Sequence, residues 1–336
     1  MFAVSAVRID AQDPLSGLRL GEHPEPGHDG DLPPGWTTVT VKAASLNHHD
    51  LWTLKGVGIT QDKLPMVLGC DAAGIDEDGN EVVVHSVIGG PGTDEPRSVL
   101  TEHYDGTFAH KVAVPRWNLL PKPAELSFEQ ACCLPTAWLT AYRMLFTNSG
   151  VRPGGTILVQ GAGGGVATAL VVLGRAAGYR VWVTSRDEAK GARAVELGAD
   201  AAFPSGARLP ERVDAVMETV GAATWSHSIK SLKPGGTVVI SGATSGDRPS
   251  AAELTRIFFQ ELRVVGSTMG DKDELAGLLR LCVNAGVRPT IDTVMPLTEA
   301  PEGFRRLAEG ELFGKIVFTV QGDGPPPHRE LLTAKG

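Results

Sequence analysis

The run Thr156-Ile157-Leu158-Val159-Gln160-Gly161-Ala162-Gly163-Gly164-Gly165-Val166-Ala167 constrains this chain more than any other segment. Its apolar, β-prone start ends in a cluster of glycines. A helical pattern over residues 166–177 follows, then a second β-like run over 179–183. Strand, glycine turn, helix and strand within about thirty residues is the order a dinucleotide-binding βαβ unit needs. Glycine lets the backbone turn tightly and approach a pyrophosphate. The helix start then offers free N–H groups and a positive dipole end. The turn Gly161-Ala162-Gly163-Gly164-Gly165-Val166 is therefore a candidate cofactor cradle, with NAD or NADP as the expected ligand.

The flanking segments differ in texture. Before about residue 125 the chain reads as short strands, at 36–43, 81–85 and 108–114, separated by proline and glycine clusters at 24–35 and 89–96. From Ser127 a capping-box pattern, Ser127-Phe128-Glu129-Gln130, leads into an apolar helix. β-like runs at 215–220, 236–241 and 262–267 then alternate with helical segments such as 225–232, with a further amphipathic helix at 271–285. Alternating strands and helices predict an α/β fold with a doubly wound parallel sheet. Residues 293–297, a helix at 300–309 and a strand at 315–320 are placed to rejoin the first domain. The expected division is 1–125, a β-rich domain; 126–286, the dinucleotide-binding domain; 287–320, a return segment; and 321–336, a loose tail with three consecutive prolines.

Composition narrows the partners. The 336 residues carry a net charge of -8 and no basic run, which argues against a nucleic-acid or anionic-membrane surface. No apolar run approaches the roughly 18 residues a membrane span needs. Residues 1–8 lack the order of a secretory signal. Cys70, Cys132, Cys133 and Cys282 form no CxxC pair, so free thiols in a reducing cytoplasm are expected.

Five local matches, in order, give the chain a family resemblance over roughly residues 1–320. They are Ser45-Leu46-Asn47-His48-His49-Asp50-Leu51-Trp52, Leu68-Gly69-Cys70-Asp71-Ala72-Ala73-Gly74, Leu134-Pro135-Thr136-Ala137-Trp138-Leu139-Thr140-Ala141-Tyr142, the glycine turn, and Phe313-Gly314-Lys315-Ile316-Val317. With these the chain resembles the medium-chain dehydrogenase/reductase superfamily, and looks nearest to zinc-free, zinc-binding-dehydrogenase-like members close to the quinone oxidoreductases. The resemblance implies a GroES-like substrate domain split around a Rossmann domain, an active site in the cleft between them, and a homodimer or larger assembly. The turn then reads as GxxGxxA at Gly161, Gly164 and Ala167, where alanine is still small enough for close helix–strand packing.

Zinc members of this superfamily need thiolate, imidazole and a further thiolate or carboxylate, with one position left open. Asn47, Cys70 and Thr136 align with those places, and the stretch 85–105, where a structural-zinc lobe would lie, has no cysteine. No metal is therefore expected. His48 and His49 are adjacent and point apart on a regular element, and the spacing of His85, His103 and His110 indicates no shared ion.

The cofactor's phosphate is read after the second Rossmann strand. Ser185 can donate to a 2′-phosphate, Arg186 can fork onto it, and Lys190 matches a phosphate-side lysine of the quinone oxidoreductases. This favours NADP. In the rival reading Asp187 takes the ribose hydroxyls of NAD and Arg186 is a solvated charge. By resemblance, Thr136 and Thr140 join the cofactor set, with Thr140 near the nicotinamide. Val220, Gly242, Gly266 and Ser267 end later strands, and Lys315 lies in a segment lining the cleft.

Without a metal, an alkoxide lacks a Lewis acid, and reduction of a conjugated carbonyl is the easier chemistry. Hydride adds at the β-carbon while charge spreads into an enolate, which needs hydrogen-bond donors at the oxygen and a proton source. The expectation is an NADPH-dependent reductase of a small-molecule quinone or enone. Candidate catalytic residues are Asn47, His49, Asp50 and Trp52. Related enoyl reductases place a tyrosine slightly further on, where this chain has Val57 and Ile59; His49 or Lys55 is left to substitute. Each candidate also has a plain structural role: Asn47 in a turn, Asp50 at a helix start, Trp52 in the core, Cys70 buried and inert. Two other readings stay open, a zinc-independent alcohol or carbonyl dehydrogenase and an NADPH-binding protein with little catalysis.

Overall fold

The computed structural model describes residues 1–28, 30–90 and 96–320. The expected tail at 321–336, and most of the proline–glycine cluster at 89–96, lie outside them.

The long strand β1 (Trp36–Ser45) organises the first domain, its residues alternating between buried and partly exposed along most of its length. On one side it pairs antiparallel with β2 (Asp71–Asp76), which pairs with β3 (Glu81–Val84). β4 (Lys111–Pro115) pairs with the first half of β1, and β5 (Leu119–Pro121) extends the sheet beyond β3. The sequence places a strand from residue 108, yet β4 begins at Lys111. The backbone N–H groups of Gly106, Thr107 and Phe108 instead bond the carbonyls of Val67, Gly69 and Leu68.

The second domain is a six-stranded parallel sheet. Its strands are β6 (Thr156–Val159), β7 (Arg180–Ser185), β8 (Ala201–Pro204), β9 (Val213–Glu218), β10 (Leu232–Ile240) and β11 (Arg263–Gly266). Their spatial order is β8-β7-β6-β9-β10-β11, so strand order reverses beside β6, the place where open sheets of this kind bind ligands at their carboxyl ends. The capping box at Ser127 forms, but the helix it starts is not continuous. Phe128–Ala131 is followed by π-type turns at Leu134–Trp138 and Arg143–Asn148, with one α-turn, Leu139–Tyr142, between them. Pro135, which has no N–H to give, lies in the first of these wide turns.

The chain then returns. β12 (Ile291–Pro296) and β13 (Lys315–Thr319) run parallel to each other, and β13 pairs antiparallel with β1. The return segment therefore completes the first sheet. One apolar core holds Phe108, Phe304 and Phe318, with edge-to-face ring contacts at 6.1 and 5.1 Å. Another is centred on Trp138, Ile157 and Val181 and reaches into Ala43, Ala73, Val83 and Val317 of the first sheet. This shared cluster joins the two domains along one seam. Among the described residues no helix is long and apolar enough to cross a membrane.

Candidate active site

The glycine turn leaves β6 and enters helix α2 (Gly165–Ala176). Gly161 turns the chain at φ 89°, a conformation that penalises any Cβ. Its N–H is aimed at the Thr184 hydroxyl, 3.3 Å away. No side chain caps α2: its N-cap is Gly164, so the first N–H groups stay open for phosphate. At Gly163 a Cβ would come within 3.2 Å of the Leu312 carbonyl, and at Gly165 within 2.8 Å of Lys315 Cδ. Ala162 is buried and Val166 partly so. The cradle thus suits a pyrophosphate, and side chains at either close approach would obstruct its walls.

Around the cradle the predicted residues divide. Ser185 ends β7, exchanging hydrogen bonds with the backbone of Asp187 (2.7 and 3.1 Å). Asp187 is the N-cap of α3 (Glu188–Leu197), its carboxylate accepting from Lys190 N at 3.2 Å. Arg186 is exposed. Lys190 lies against Gly163 and donates to the Gly310 carbonyl. Val220 lies past the end of β9, because buried Glu218 turns the chain: its Oε1 takes the N–H groups of Val220 and Gly221 at 2.8 and 2.9 Å. Gly242 follows β10, Gly266 is exposed at the end of β11, and Ser267 accepts from Asn148 Nδ2 at 2.9 Å. Thr140 is buried beside the seam in its α-turn.

Across the cleft, three strand ends converge. Ser45 at the end of β1 pairs with Asp71 at the start of β2 and with Val317 of β13. This register brings together side chains that are far apart in the chain. Asp71 is fully buried in a run that otherwise reads as an apolar strand. Its Oδ2 accepts from Ser45 Oγ (2.7 Å) and Asn47 Nδ2 (2.8 Å), and its Oδ1 from Ser86 Oγ (3.3 Å). Lys315, also buried, lies 3.7 Å from Asp71 Oδ2 and donates to the Leu46 carbonyl (2.7 Å) and Asn47 Oδ1 (2.5 Å). Cys70 Sγ lies 3.6 Å from Asn47 Nδ2 and 3.5 Å from Thr136 Oγ1, so Asn47, Cys70 and Thr136 do meet. Thr136 also contacts Ser86 Oγ at 3.3 Å.

Helix α1 (His48–Leu54) begins at this point, in a capping box formed by Asn47 and Asp50. Asp50 is fully buried and accepts from the N–H groups of Asn47 (2.8 Å) and Gly69 (2.9 Å). Burial pushes its carboxyl up to about 7, against the pull of those two bonds. With no exposed surface it braces the Asn47 and Gly69 backbones and does not reach the cleft. His49 is partly buried and its Nε2 has no partner among the described residues; burial lowers its pKa, and the charge of Glu102 opposes the shift. Trp52 is half-buried on the same helix. Burial pushes the Cys70 thiol well up, which keeps it protonated.

Asp71, Ser45 and Ser86 are the residues that sequence reasoning missed. A carboxylate inside Cys70-Asp71-Ala72-Ala73 was the available signal, since a buried charge needs a partner. Lys315, expected on the cofactor side, sits between the two groups. Its stem passes Gly165 and its ammonium belongs to the Asn47–Asp71 cluster.

Known proteins match this architecture. Residues 33–124 fit the family described as the alcohol dehydrogenase GroES-like domain, and residues 165–284 the one described as zinc-binding dehydrogenase. The chain is 30% identical over 321 residues to an NAD-dependent alcohol dehydrogenase of Saccharolobus solfataricus, covering 83% of this chain and 91% of that protein. It is 27% identical over 329 residues to the acryloyl-coenzyme A reductase of Sulfurisphaera tokodaii, covering 90% of this chain and 97% of that one. A solved NAD-dependent alcohol dehydrogenase superposes with a TM-score of 0.86 at 33% identity, over 96% of this chain and all of that one (100%). The domain order and the near-complete coverage establish that this oxidoreductase chain belongs to the medium-chain dehydrogenase/reductase superfamily.

Proposed function

We propose that the protein reduces a small α,β-unsaturated carbonyl compound, an enone, enoyl thioester or quinone, with NADPH and without zinc. The observation that carries this reading is the set of groups at the Asn47, Cys70 and Thr136 places. Zinc wants two or three anionic or imidazole donors. Here it would meet an amide, a hydroxyl and a single cysteine, with the Lys315 ammonium 2.5 Å from the amide oxygen. This donor set does not suit the ion, and no step is assigned to it. The acryloyl-coenzyme A reductase at 27% identity supports the substrate class.

A bound nicotinamide would supply the hydride to the β-carbon. The chain's part is to seat the carbonyl at the seam and hold developing negative charge there. NADPH is preferred because the exposed Arg186 guanidinium stands just past the end of β7, while one Asp187 carboxylate oxygen is engaged as a helix cap. The relatives named as NAD-dependent alcohol dehydrogenases favour a second reading, oxidation of an alcohol with NAD.

The test is oxidation of NADPH and NADH by 2-cyclohexenone, a crotonyl thioester, benzoquinone and simple aldehydes after exhaustive EDTA treatment. Turnover of the conjugated compounds with NADPH, unchanged by EDTA, is the expected result. EDTA-sensitive turnover, or alcohol oxidation with NAD alone, would replace the first reading by the second. NADPH binding with no turnover would instead favour a binding protein.

We also infer a homodimer through the outer edge of the Rossmann sheet. Strand β11 is an unpaired edge, and Val264 on it and Leu254, Phe258 and Phe259 on the adjoining helix α4 (Leu254–Phe259) are 45–76% exposed. Sedimentation should show a dimer that Phe259→Asp dissociates. Four free cysteines fit a cytoplasmic location.

A further inference from the structure

The hydrogens at the seam can be assigned one by one. As a carboxylate Asp71 only accepts, and it takes hydrogens from Ser45, Asn47 and Ser86. The second amide hydrogen of Asn47 faces the Ser45 carbonyl at 3.1 Å. The Lys315 ammonium is turned to Leu46, Asn47 and Asp71. All of these hydrogens point inward, and Asn47, Asp71, Ser86 and Lys315 are buried.

Thr136 differs in both respects. It is only partly buried, and it stands on the second domain while its hydroxyl touches Cys70 and Ser86 of the first. The protonated Cys70 thiol can donate to its oxygen. Among the described residues the hydrogen of Thr136 has two partners, Ser86 Oγ at 3.3 Å, whose own hydrogen faces Asp71, and Cys70 Sγ at 3.5 Å. The first is long against the roughly 2.7–2.8 Å of an ordinary O–H···O bond and the second is to a weak thiol acceptor, so turning the hydrogen away costs little.

We propose that the Thr136 hydroxyl is the hydrogen-bond donor to the substrate's carbonyl oxygen, an inference that rests on the reductase reading above. As hydride reaches the β-carbon, the C=C electron pair moves toward the carbonyl and its oxygen becomes an enolate. The Thr136 O–H holds that charge, and the α-carbon then takes a proton from water. The product is the saturated carbonyl compound, the two electrons having entered with the hydride from the dihydronicotinamide.

The experiment compares the full-length protein with Thr136→Val, which keeps the shape and removes the hydroxyl, and Thr136→Ser, which restores it. Turnover is measured with 2-cyclohexenone and a crotonyl thioester. Butyramide, an unreactive carbonyl probe, is titrated onto the NADPH-loaded proteins. Thr136→Val should lose about 100-fold in kcat and about tenfold in butyramide affinity, with NADPH affinity within twofold. Thr136→Ser should return within fivefold of the wild type. A valine variant within threefold of the wild type in both kcat and butyramide affinity overturns the proposal. So does a loss that appears in NADPH affinity, which would assign Thr136 to the cofactor. If the wild type reduces neither compound, the reductase reading fails, and butyramide binding still decides whether Thr136 donates to a carbonyl oxygen.

Discussion

The glycine turn and the Asn47–Asp71–Lys315 seam line one cleft and are built on opposite plans. The turn uses backbone N–H groups from consecutive residues, and its chemistry is the absence of side chains at Gly161, Gly163, Gly164 and Gly165. The seam uses side chains from residues 45, 47, 70, 71, 86, 136 and 315, gathered by antiparallel register and by the return of β13. A backbone cradle tolerates change around it, because each peptide unit carries its own donor. A buried polar cluster does not, because each member satisfies another. The two touch where Lys315 passes Gly165.

The largest way to break this contrast is Lys315→Met. It leaves the buried Asp71 carboxylate without its cation and should cost roughly 3–5 kcal/mol, read by urea unfolding. Adding Asp71→Asn should recover at least about 1 kcal/mol of that loss. Additive losses would mean the two residues do not act as a unit.

On the turn side the expected effect is smaller and falls on one ligand. Arg186→Ala removes an exposed guanidinium with no structural partner among the described residues, so melting temperature should not move. NADPH affinity should fall about tenfold or more, on the scale of one charge-assisted hydrogen bond, while NADH affinity stays unchanged. Equal losses for both cofactors would remove Arg186 from the 2′-phosphate and revive the NAD reading.

The smallest effect concerns His85, which joins the domains by a 3.1 Å bond from its Nε2 to the Gly270 carbonyl. Burial lowers its pKa from the ordinary 6.5. Below about pH 6.5 the unfolded chain then binds a proton that the native histidine resists, so this group makes stability fall as pH drops through that range. His85→Gln keeps a donor and cannot titrate. It should match the wild type at pH 8 and lose less stability on acidification to pH 5.5; an unchanged slope would show that other groups govern it.

The comparison also explains what could be read in advance. Both sheets, the turn and the return segment were legible, because apolar periodicity and glycine punctuation are local signals. Boundaries shifted where other groups took the backbone hydrogen bonds: at residue 108 the distant segment 67–69, and at Val220 the nearby Glu218 carboxylate. Asn47, Cys70 and Thr136 were aligned by resemblance and do lie together. Asp50 was a candidate both for catalysis and for a structural role at a helix start; it is buried and accepts from the Asn47 and Gly69 N–H groups. Asp71 was quoted in a motif and its role was invisible, because nothing in the sequence says which lysine will reach it.

By itself the sequence determined the α/β class, the glycine cradle and the residue types at positions 47, 70 and 136. These depend on contiguous pattern: 2.0- and 3.6-residue periods, and glycines that no Cβ can replace. Only the tertiary structure decided which hydrogens at the seam are spent and which remains. That depends on distances between segments up to 269 residues apart, set when β13 closes against β1 and fixes Lys315 beside Leu46.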